Sequence, residues 1–521
     1  RWTERFPQDQ IYLTAGPFHV SRQRGRLAEA QVYLREDNPE LARRYLNATN
    51  EYLELFSGLM GEYPYAKFAL VENFWETGYG MPSFTLLGPR VLRLPFIIDS
   101  AYPHEIVHNW WGNGVFVDYE AGNWSEGLTA YMADHLLKER EGKGAEYRRD
   151  QLQKYAEYVS DSRDFPLSGF TSRHSGASQA IGYGKALMLF HMLRLRLGDE
   201  VFLQGLRHFY REHRFTEAGF TDVRRSFEAV SGETLSDFFR HWVERPGAPR
   251  LNLEAVGFQK GTMALTLTQE GPGEPFPLQV PLIVHLADDT VDEYSVSLDG
   301  DRAEVSLPLS GEPQCVSIDP RFDLFRWLLP GEIPVSLDSL LGADSLLLVV
   351  PSAGPEPMRV AYRRLAESWA AGQSNVSVRT DGELDSLPED WPIMLLGWDN
   401  RFRNHVSEAL SDSAQLAPGR VQLKQRDWPR HGRSFVLTAS REGAAPIAWL
   451  AADSPVAVPG LARKVPHYGK YGYLVFDGDV PDNRVKGQWP VTASPLVHRF
   501  DQGGGGCKIP PSEPLARLGK G

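Results

Sequence analysis

Cysteine is scarce: among 521 residues only Cys315 and Cys507 occur, about 190 positions apart. No CxxC pair and no Cys/His cluster is present, which excludes a disulfide framework and a thiolate zinc site and leaves both thiols expected to be unpaired. Long apolar runs are also missing. No window approaches the ~18 uninterrupted apolar residues of a membrane helix, and no signal-like stretch follows Arg1. The expectation is a soluble chain with no membrane partner and no assigned compartment, either preceded by a removed segment or itself a fragment. There is no basic excess: 55 Lys and Arg stand against 67 Asp and Glu, a formal net charge of -12. That balance argues against nucleic acid and anionic membranes as partners, since both require a basic face. Disorder and coiled coil are excluded as well, because 42% apolar and 23% charged residues are ordinary globular usage.

What is present divides along the chain. Residues 11–20 and 29–34 read as short strands within a β-rich opening segment (1–35). Asn38 and Pro39 then mark a helix start, and apolar residues recur at helical spacing up to Gly61. From about 100 to 245 the pattern is helical, with Ser125 and Thr221 as candidate caps. The prolines and glycine of RPGAPR (245–250) mark a boundary. Short alternating segments follow and predict a small β-sandwich over 249–336. From 337 to 499, strands alternate with helices, as in an α/β domain with a parallel or mixed sheet. Its first strand-to-helix turn, PSAGPEP, lacks a phosphate-binding glycine pattern. Residues 500–521, rich in glycine and proline, read as a flexible tail.

One motif carries chemistry. PHEIVHNWWGN sets His104, Glu105 and His108 as H-E-x-x-H. On a helix, positions i and i+4 share a face, so two imidazoles there can hold one zinc while Glu105 reaches an activated water. A catalytic zinc takes a third protein ligand and keeps an open position. Glu126 follows His108 after 17 residues, at the start of a second amphipathic helix. A first-turn acid is also favoured by the helix dipole, and the same residue can serve both purposes.

HEIVHNWWGN followed by NWSEGLTAY resembles the aminopeptidase N and leukotriene hydrolase family of gluzincin zinc metallopeptidases. Three further segments resemble it in order: IYLTAGPFHV, IGYGKALMLFHMLRLRLGDEVFLQGLRHFY and LSDFFRHWVERPGAPRL. The resemblance covers about 1–335. It implies a multidomain α+β protein, with a thermolysin-like, mainly helical catalytic domain (1–248), then the β-sandwich, then an α/β domain outside the resemblance. The family's N-terminal β-sandwich is absent from the sequence. The resemblance also implies one zinc per chain, held by His104, His108 and Glu126. Glu105 would act as general base, and Tyr183 would hydrogen-bond the oxyanion.

Two departures bear on specificity. The interval before Glu126 is one residue shorter than the family's, which a loop can absorb. The family grips a free amino terminus with the glutamate of a GxMEN sequence, and the equivalent substrate-binding stretch here is Gly80, Met81, Pro82 and Ser83. Proline cannot neutralise an ammonium group. Glu72 and Glu76 lie upstream, and Glu72 is expected to be a solvated strand charge. Of the acids near the motif, Asp118, Glu120 and Asp134, one could orient a ligand histidine, but solvation is the preferred reading. Trp110 and Trp111 are expected in the core; His174, His191 and His208 are expected to be ordinary helix or loop residues.

The function expected is an aminopeptidase-like zinc metallopeptidase acting on peptide or protein substrates. The rivals are a zinc hydrolase or endopeptidase of the same fold needing no free amino terminus, and a non-catalytic scaffold. Oligomeric state is not readable from the sequence.

Overall fold

A computed structural model describes residues 6–8, 10–410, 413–491, 494–500 and 507–519. The first strand, β1 (His19–Arg24), begins later than the apolar run at 11–20 suggests, because Gly16 and Pro17 interrupt that run. It pairs antiparallel with β2 (Glu29–Leu34). Helix α1 (Pro39–Met60) starts where the Asn38 side chain accepts the Leu41 N–H at 3.0 Å, and stops at Gly61, whose φ of 115° favours glycine. Strands β3 (Lys67–Glu72), β4 (Gly78–Met81) and β5 (Phe84–Leu87) complete a sheet of order β1-β2-β3-β5-β4. Its inner strands are parallel, and β4 is an antiparallel edge strand.

The helical part follows. It comprises α2 (Ala101–Val107), α3 (Ser125–Ala130), α4 (Leu136–Arg140), α5 (Gly144–Tyr158), α6 (Gly176–Gln179), α7 (Ala186–Leu197), α8 (Asp199–His213), α9 (Phe220–Ser231) and α10 (Ser236–Val243). A small parallel pair, β6 (Phe116–Val117) and β7 (Glu217–Ala218), lies among them. Two π-helical turns interrupt the helices, Tyr131–His135 between α3 and α4 and Ala180–Lys185 between α6 and α7. Thr221 is not the cap of α9: the cap is Gly219, whose N–H donates to the Asp222 carboxylate at 3.0 Å.

The short helix α2 is held by aromatic packing. Trp110, Trp111 and Trp124 are fully buried, as expected for the first two. The Trp110 indole N–H donates to the Gly61 carbonyl at 2.9 Å, and that of Trp124 to the Ala218 carbonyl at 2.6 Å. The Trp111 ring stacks on Phe209 of α8 at 5.9 Å.

Beyond residue 249, β8 (Arg250–Gln259), β9 (Thr262–Glu270), β10 (Leu278–Leu286), β11 (Val291–Leu298), β12 (Arg302–Pro308) and β13 (Pro313–Ile318) form the antiparallel sheets of the sandwich. Helix α5 is tied to the segment that follows β13. Arg148 of α5 donates to the Arg321 and Phe322 carbonyls and to Asp323 at 2.8 Å, and Asp319 pairs with Arg326 at 2.7 Å in full burial. His191, expected to be ordinary, meets Asp323 at 3.0 Å in the same network, and burial with the Arg148 charge lowers its pKa to about 3. By compactness the chain divides into one unit of residues 1–155, 163–327 and 496–521 and another of 156–162 and 328–495.

The second unit carries α11 (Asp338–Leu341), β14 (Leu346–Val350), α12 (Glu356–Ala370), β15 (Val376–Thr380), β16 (Ile393–Leu396), α13 (Arg403–Leu410), β17 (Ala414–Ala417), β18 (Arg420–Leu423), β19 (Arg426–Pro429), β20 (Arg433–Arg441), β21 (Ala444–Ala452), α14 (Val458–Lys464), β22 (Tyr473–Asp477) and β23 (Asp482–Gly487). Its seven-stranded sheet runs β15-β14-β16-β21-β20-β22-β23, parallel in the first half and antiparallel in the second. Strand alternation explains the continuous apolar run of β14. Leu346, Leu348 and Val350 enter the core under α12 and α14, while Leu347 and Val349 enter the core under α13.

The chain then returns to the sandwich as β24 (Val497–Arg499), which pairs with β13 and brings a disulfide within reach, Cys315 to Cys507, with Cα atoms 6.1 Å apart. The thiols are therefore paired, contrary to the expectation from their spacing; a separation of 192 residues does not reveal an added strand. Part of the expected flexible tail is also anchored. Leu515 and Ala516 are buried, and the Leu515 N–H donates to Glu139 at 2.8 Å; residues 501–506, 520 and 521 lie outside the described residues. Among the described residues no helix is long and apolar enough to cross a membrane.

Gly127 of α3 is where two helices meet backbone to backbone. A Cβ there would lie 2.2 Å from the Ala186 Cβ and 2.9 Å from the Ala186 carbonyl carbon. Gly127→Ala is expected to cost about 1–3 kcal/mol through overpacking, read as a lower urea midpoint.

Candidate active site

His104 and His108 lie one turn apart on α2 and at its C-terminal cap, with ring centroids 4.9 Å apart. Pro103 occupies the first turn of that helix, where its missing N–H removes no internal hydrogen bond. After His108 the chain turns through Gly112, whose φ of 107° favours glycine. The turn brings the Trp111 carbonyl back to His108 Nδ1 at 3.0 Å.

Glu126 arrives on α3. Ser125 is the first helical residue and not the cap; Asn123 supplies the side-chain oxygen that accepts the Ser125 N–H at 3.0 Å. The Asn123 amide also donates to the Thr171 carbonyl at 3.0 Å, so the start of α3 is fixed from two sides. A Glu126 carboxylate oxygen then lies 3.6 Å from His104 Nε2 and 3.5 Å from His108 Nε2.

The three side chains offer ligand atoms that all lie within 4.8 Å of one another. Both Nδ1 atoms face acceptors, the Trp111 carbonyl for His108 and the Asp134 carboxylate, at 2.7 Å, for His104. Those partners place the ring protons on Nδ1 and leave the Nε2 lone pairs facing Glu126, which suits a divalent cation. The electrostatics agree. Burial would lower the pKa of His104, but Asp134 and Glu126 raise it well above the ordinary value; burial would raise that of Glu126, but His108 and His104 hold it far below. A field that draws positive charge to this point favours a metal ion there.

Glu105 sits beside the cluster, its carboxyl pushed up by burial against the opposing effect of the histidines. Its oxygens face the glycine side of β4. A Cβ on Gly80 would come within 2.8 Å of Glu105 Oε2, and one on Gly78 within 3.5 Å of Oε1. At Gly80 the absence of a side chain lets this edge strand pass so close, whereas 3.5 Å at Gly78 is ordinary contact. Met81 ends β4, and Pro82 and Ser83 form the turn into β5. Ser83, in a left-handed conformation, donates its N–H to the Asn109 side chain at 2.8 Å and accepts from Lys67 Nζ.

Tyr183 lies in the second π-helical turn. Its ring is parallel to that of His104 at 6.4 Å and packs edge-on against Phe170 at 6.1 Å. Burial, with the Glu126 carboxylate beside it, keeps the phenol protonated far into the alkaline range. The structure thus gathers His104, Glu105, His108, Glu126 and Tyr183 together, with Gly80 packed against Glu105 and His108.

Asp134, preferred as a solvated acid, instead contacts His104. At α-helical pitch a residue eight positions after Glu126 falls about 80° off its face. The π-helical turn Tyr131–His135 takes up one extra residue and restores the alignment. Glu72 likewise differs from expectation: it is buried, paired with Arg93 at 2.6 Å and accepting the Arg35 N–H at 2.8 Å. Glu76 accepts the backbone N–H groups of Arg90 and Val91.

The profile of the peptidase family M1 domain matches residues 98–242, the span from just before α2 to α10. Aminopeptidase N of Lactococcus lactis is 28% identical over 163 residues, which are 29% of this chain and 19% of that protein. A probable aminopeptidase 2 of Sulfurisphaera tokodaii is 22% identical over 350 residues, 59% of this chain and 43% of the relative. Among solved structures, Legionella pneumophila aminopeptidase A in complex with aspartic acid is similar in fold, with a TM-score of 0.50 at 16% identity, covering 69% of this chain and 43% of that one. The chain spans well under half the length of these relatives. The H-E-x-x-H helix and the following glutamate both lie inside the matched span, so residues 98–242 are similar to the peptidase family M1 domain.

Proposed function

We propose that the chain is a zinc aminopeptidase, with His104, His108 and Glu126 as ligands of a single ion. The convergence of two imidazoles and one carboxylate within 4.8 Å, with Glu105 beside them, carries this reading. When bound, zinc supplies Lewis-acid chemistry, polarising a carbonyl and making water more acidic. Glu105 takes the proton of the attacking water and delivers it to the departing amine. Tyr183 donates its hydroxyl to the substrate carbonyl oxygen as negative charge gathers there. Asp134 and the Trp111 carbonyl hold the ligand imidazoles in tautomer and orientation. The substrate lies along Gly80, Met81, Pro82 and Ser83, on the edge strand that passes against Glu105.

The relatives are named aminopeptidases, which favours release of residues from a free amino end. Glu72 is committed to Arg93, and Glu76 to the Arg90 and Val91 backbone, so neither is offered as the group that reads the amine. Matched peptides with free and acetylated amino ends, analysed by mass spectrometry, test the reading. Single residues released only from the free set support it. Cleavage of both sets would identify an enzyme that needs no free amino end, and cleavage of neither by zinc-loaded protein would contradict it.

Glu105→Gln is expected to lower kcat by about 10²–10⁴-fold with zinc retained. Tyr183→Phe is expected to lower kcat by about 10²–10³-fold with KM little changed. Asp134→Asn is expected to weaken zinc about 10–100-fold, measured by competition with a chelator.

A further inference from the structure

The loop between β3 and β4 carries two exposed aromatic side chains, Phe74 and Trp75, at 70% and 48% exposure, packed edge to face at 4.1 Å. Water-facing aromatic pairs are costly to leave uncovered and often mark a contact surface. This loop is not loose. Glu72 at its start pairs with Arg93, Asn73 donates its N–H to the Leu87 carbonyl at 2.8 Å, and Glu76 accepts the N–H groups of Arg90 and Val91. Gly88 closes it with an N–H bond to the Thr77 carbonyl at 2.9 Å. The segment it is laced to carries two more exposed apolar residues, Leu94 and Phe96, and leads directly into α2.

The position relative to the site follows from chain geometry. Gly80 of β4 stands over Glu105 and His108, and Gly78 over the other Glu105 oxygen. Trp75 is three residues before Gly78, so its Cα is at most ~11 Å from that of Gly78. At its start the edge strand meets the aromatic loop, which crosses the end of β5 from β3, since Glu72 and Gly78 flank Leu87 on either side. An extended peptide beside β4 advances ~3.3 Å per residue, which brings its second to fourth residue from the scissile bond level with the loop. An aminopeptidase has one residue on the amino side of that bond, so the neighbour of the loop is on the carboxyl side.

We propose that Phe74 and Trp75, on their pinned loop at the end of edge strand β4, form an apolar subsite that selects peptides bearing a large apolar side chain two to four residues beyond the scissile bond. The inference rests on the aminopeptidase reading for its direction along the substrate. Aromatic anchors on a rigid loop bind with little loss of conformational entropy, so selectivity here requires no new ordering of the protein.

The test uses the zinc-loaded full chain carrying Glu105→Gln, so that binding is read without turnover. Four-to-six-residue peptides with free amino ends are titrated calorimetrically, with Leu or Phe replacing Ser singly at the second, third and fourth positions after the first residue. The expected result is roughly tenfold tighter binding for at least one apolar peptide, and collapse of that ratio towards one when Phe74→Ser and Trp75→Ser are added. Circular dichroism and zinc content confirm that the added substitutions leave the protein folded and loaded. A ratio that is absent, or that survives the double change, overturns the subsite. Peptide binding with the preference intact in a protein whose native form cleaves nothing would overturn the aminopeptidase reading and leave the subsite standing. Preference at acetylated peptides equal to that at free ones would overturn only the assigned direction.

Discussion

Two imidazoles can present the same nitrogen to one point only if something fixes the other nitrogen of each, and that constraint organises the structure around α2. His108 is fixed by the Trp111 carbonyl and His104 by Asp134. The first of these partners exists because Gly112 permits a sharp turn straight after the helix. It persists because Trp110, Trp111 and Trp124 bury that turn against α1 and α8. A seven-residue helix has too few internal hydrogen bonds to hold such geometry unaided. Its rigidity is tertiary.

The opposite wall depends on helices that depart from the regular α pitch. Glu126 and Asp134 belong to one continuous helical run, and both can face α2 because a π-helical turn intervenes. Tyr183 also sits in a π-helical turn, above a close approach in which Gly127 admits Ala186. Such turns leave backbone groups in poorer hydrogen-bond geometry, and two of them at one site indicate positions set for side-chain placement at some expense of helix stability.

The parts of this arrangement legible in the sequence were those governed by local rules. His104, Glu105 and His108 are linked by helical pitch alone, and Glu126 by a short intervening loop. The α/β texture after residue 337 was readable because an apolar run such as Leu346–Val350 needs cover on both faces. What escaped were facts set by distant chain. Asp134 is out of register unless the π-helical turn is known, Glu72 looks solvated until Arg93 folds onto it, and Cys315 meets Cys507 only because β24 crosses back to β13. Nothing local announces either that Arg148 will be buried against Asp323.

The most direct test of the account is the position of the metal itself. Crystals grown with zinc and measured across the zinc absorption edge should show one strong anomalous peak per chain, about 2.0–2.2 Å from His104 Nε2, His108 Nε2 and a Glu126 oxygen. Asp134 should remain on His104 Nδ1, outside the coordination sphere. A peak elsewhere, or one at this cluster that persists undiminished when His108 and Glu126 are both replaced by Ala, would contradict it.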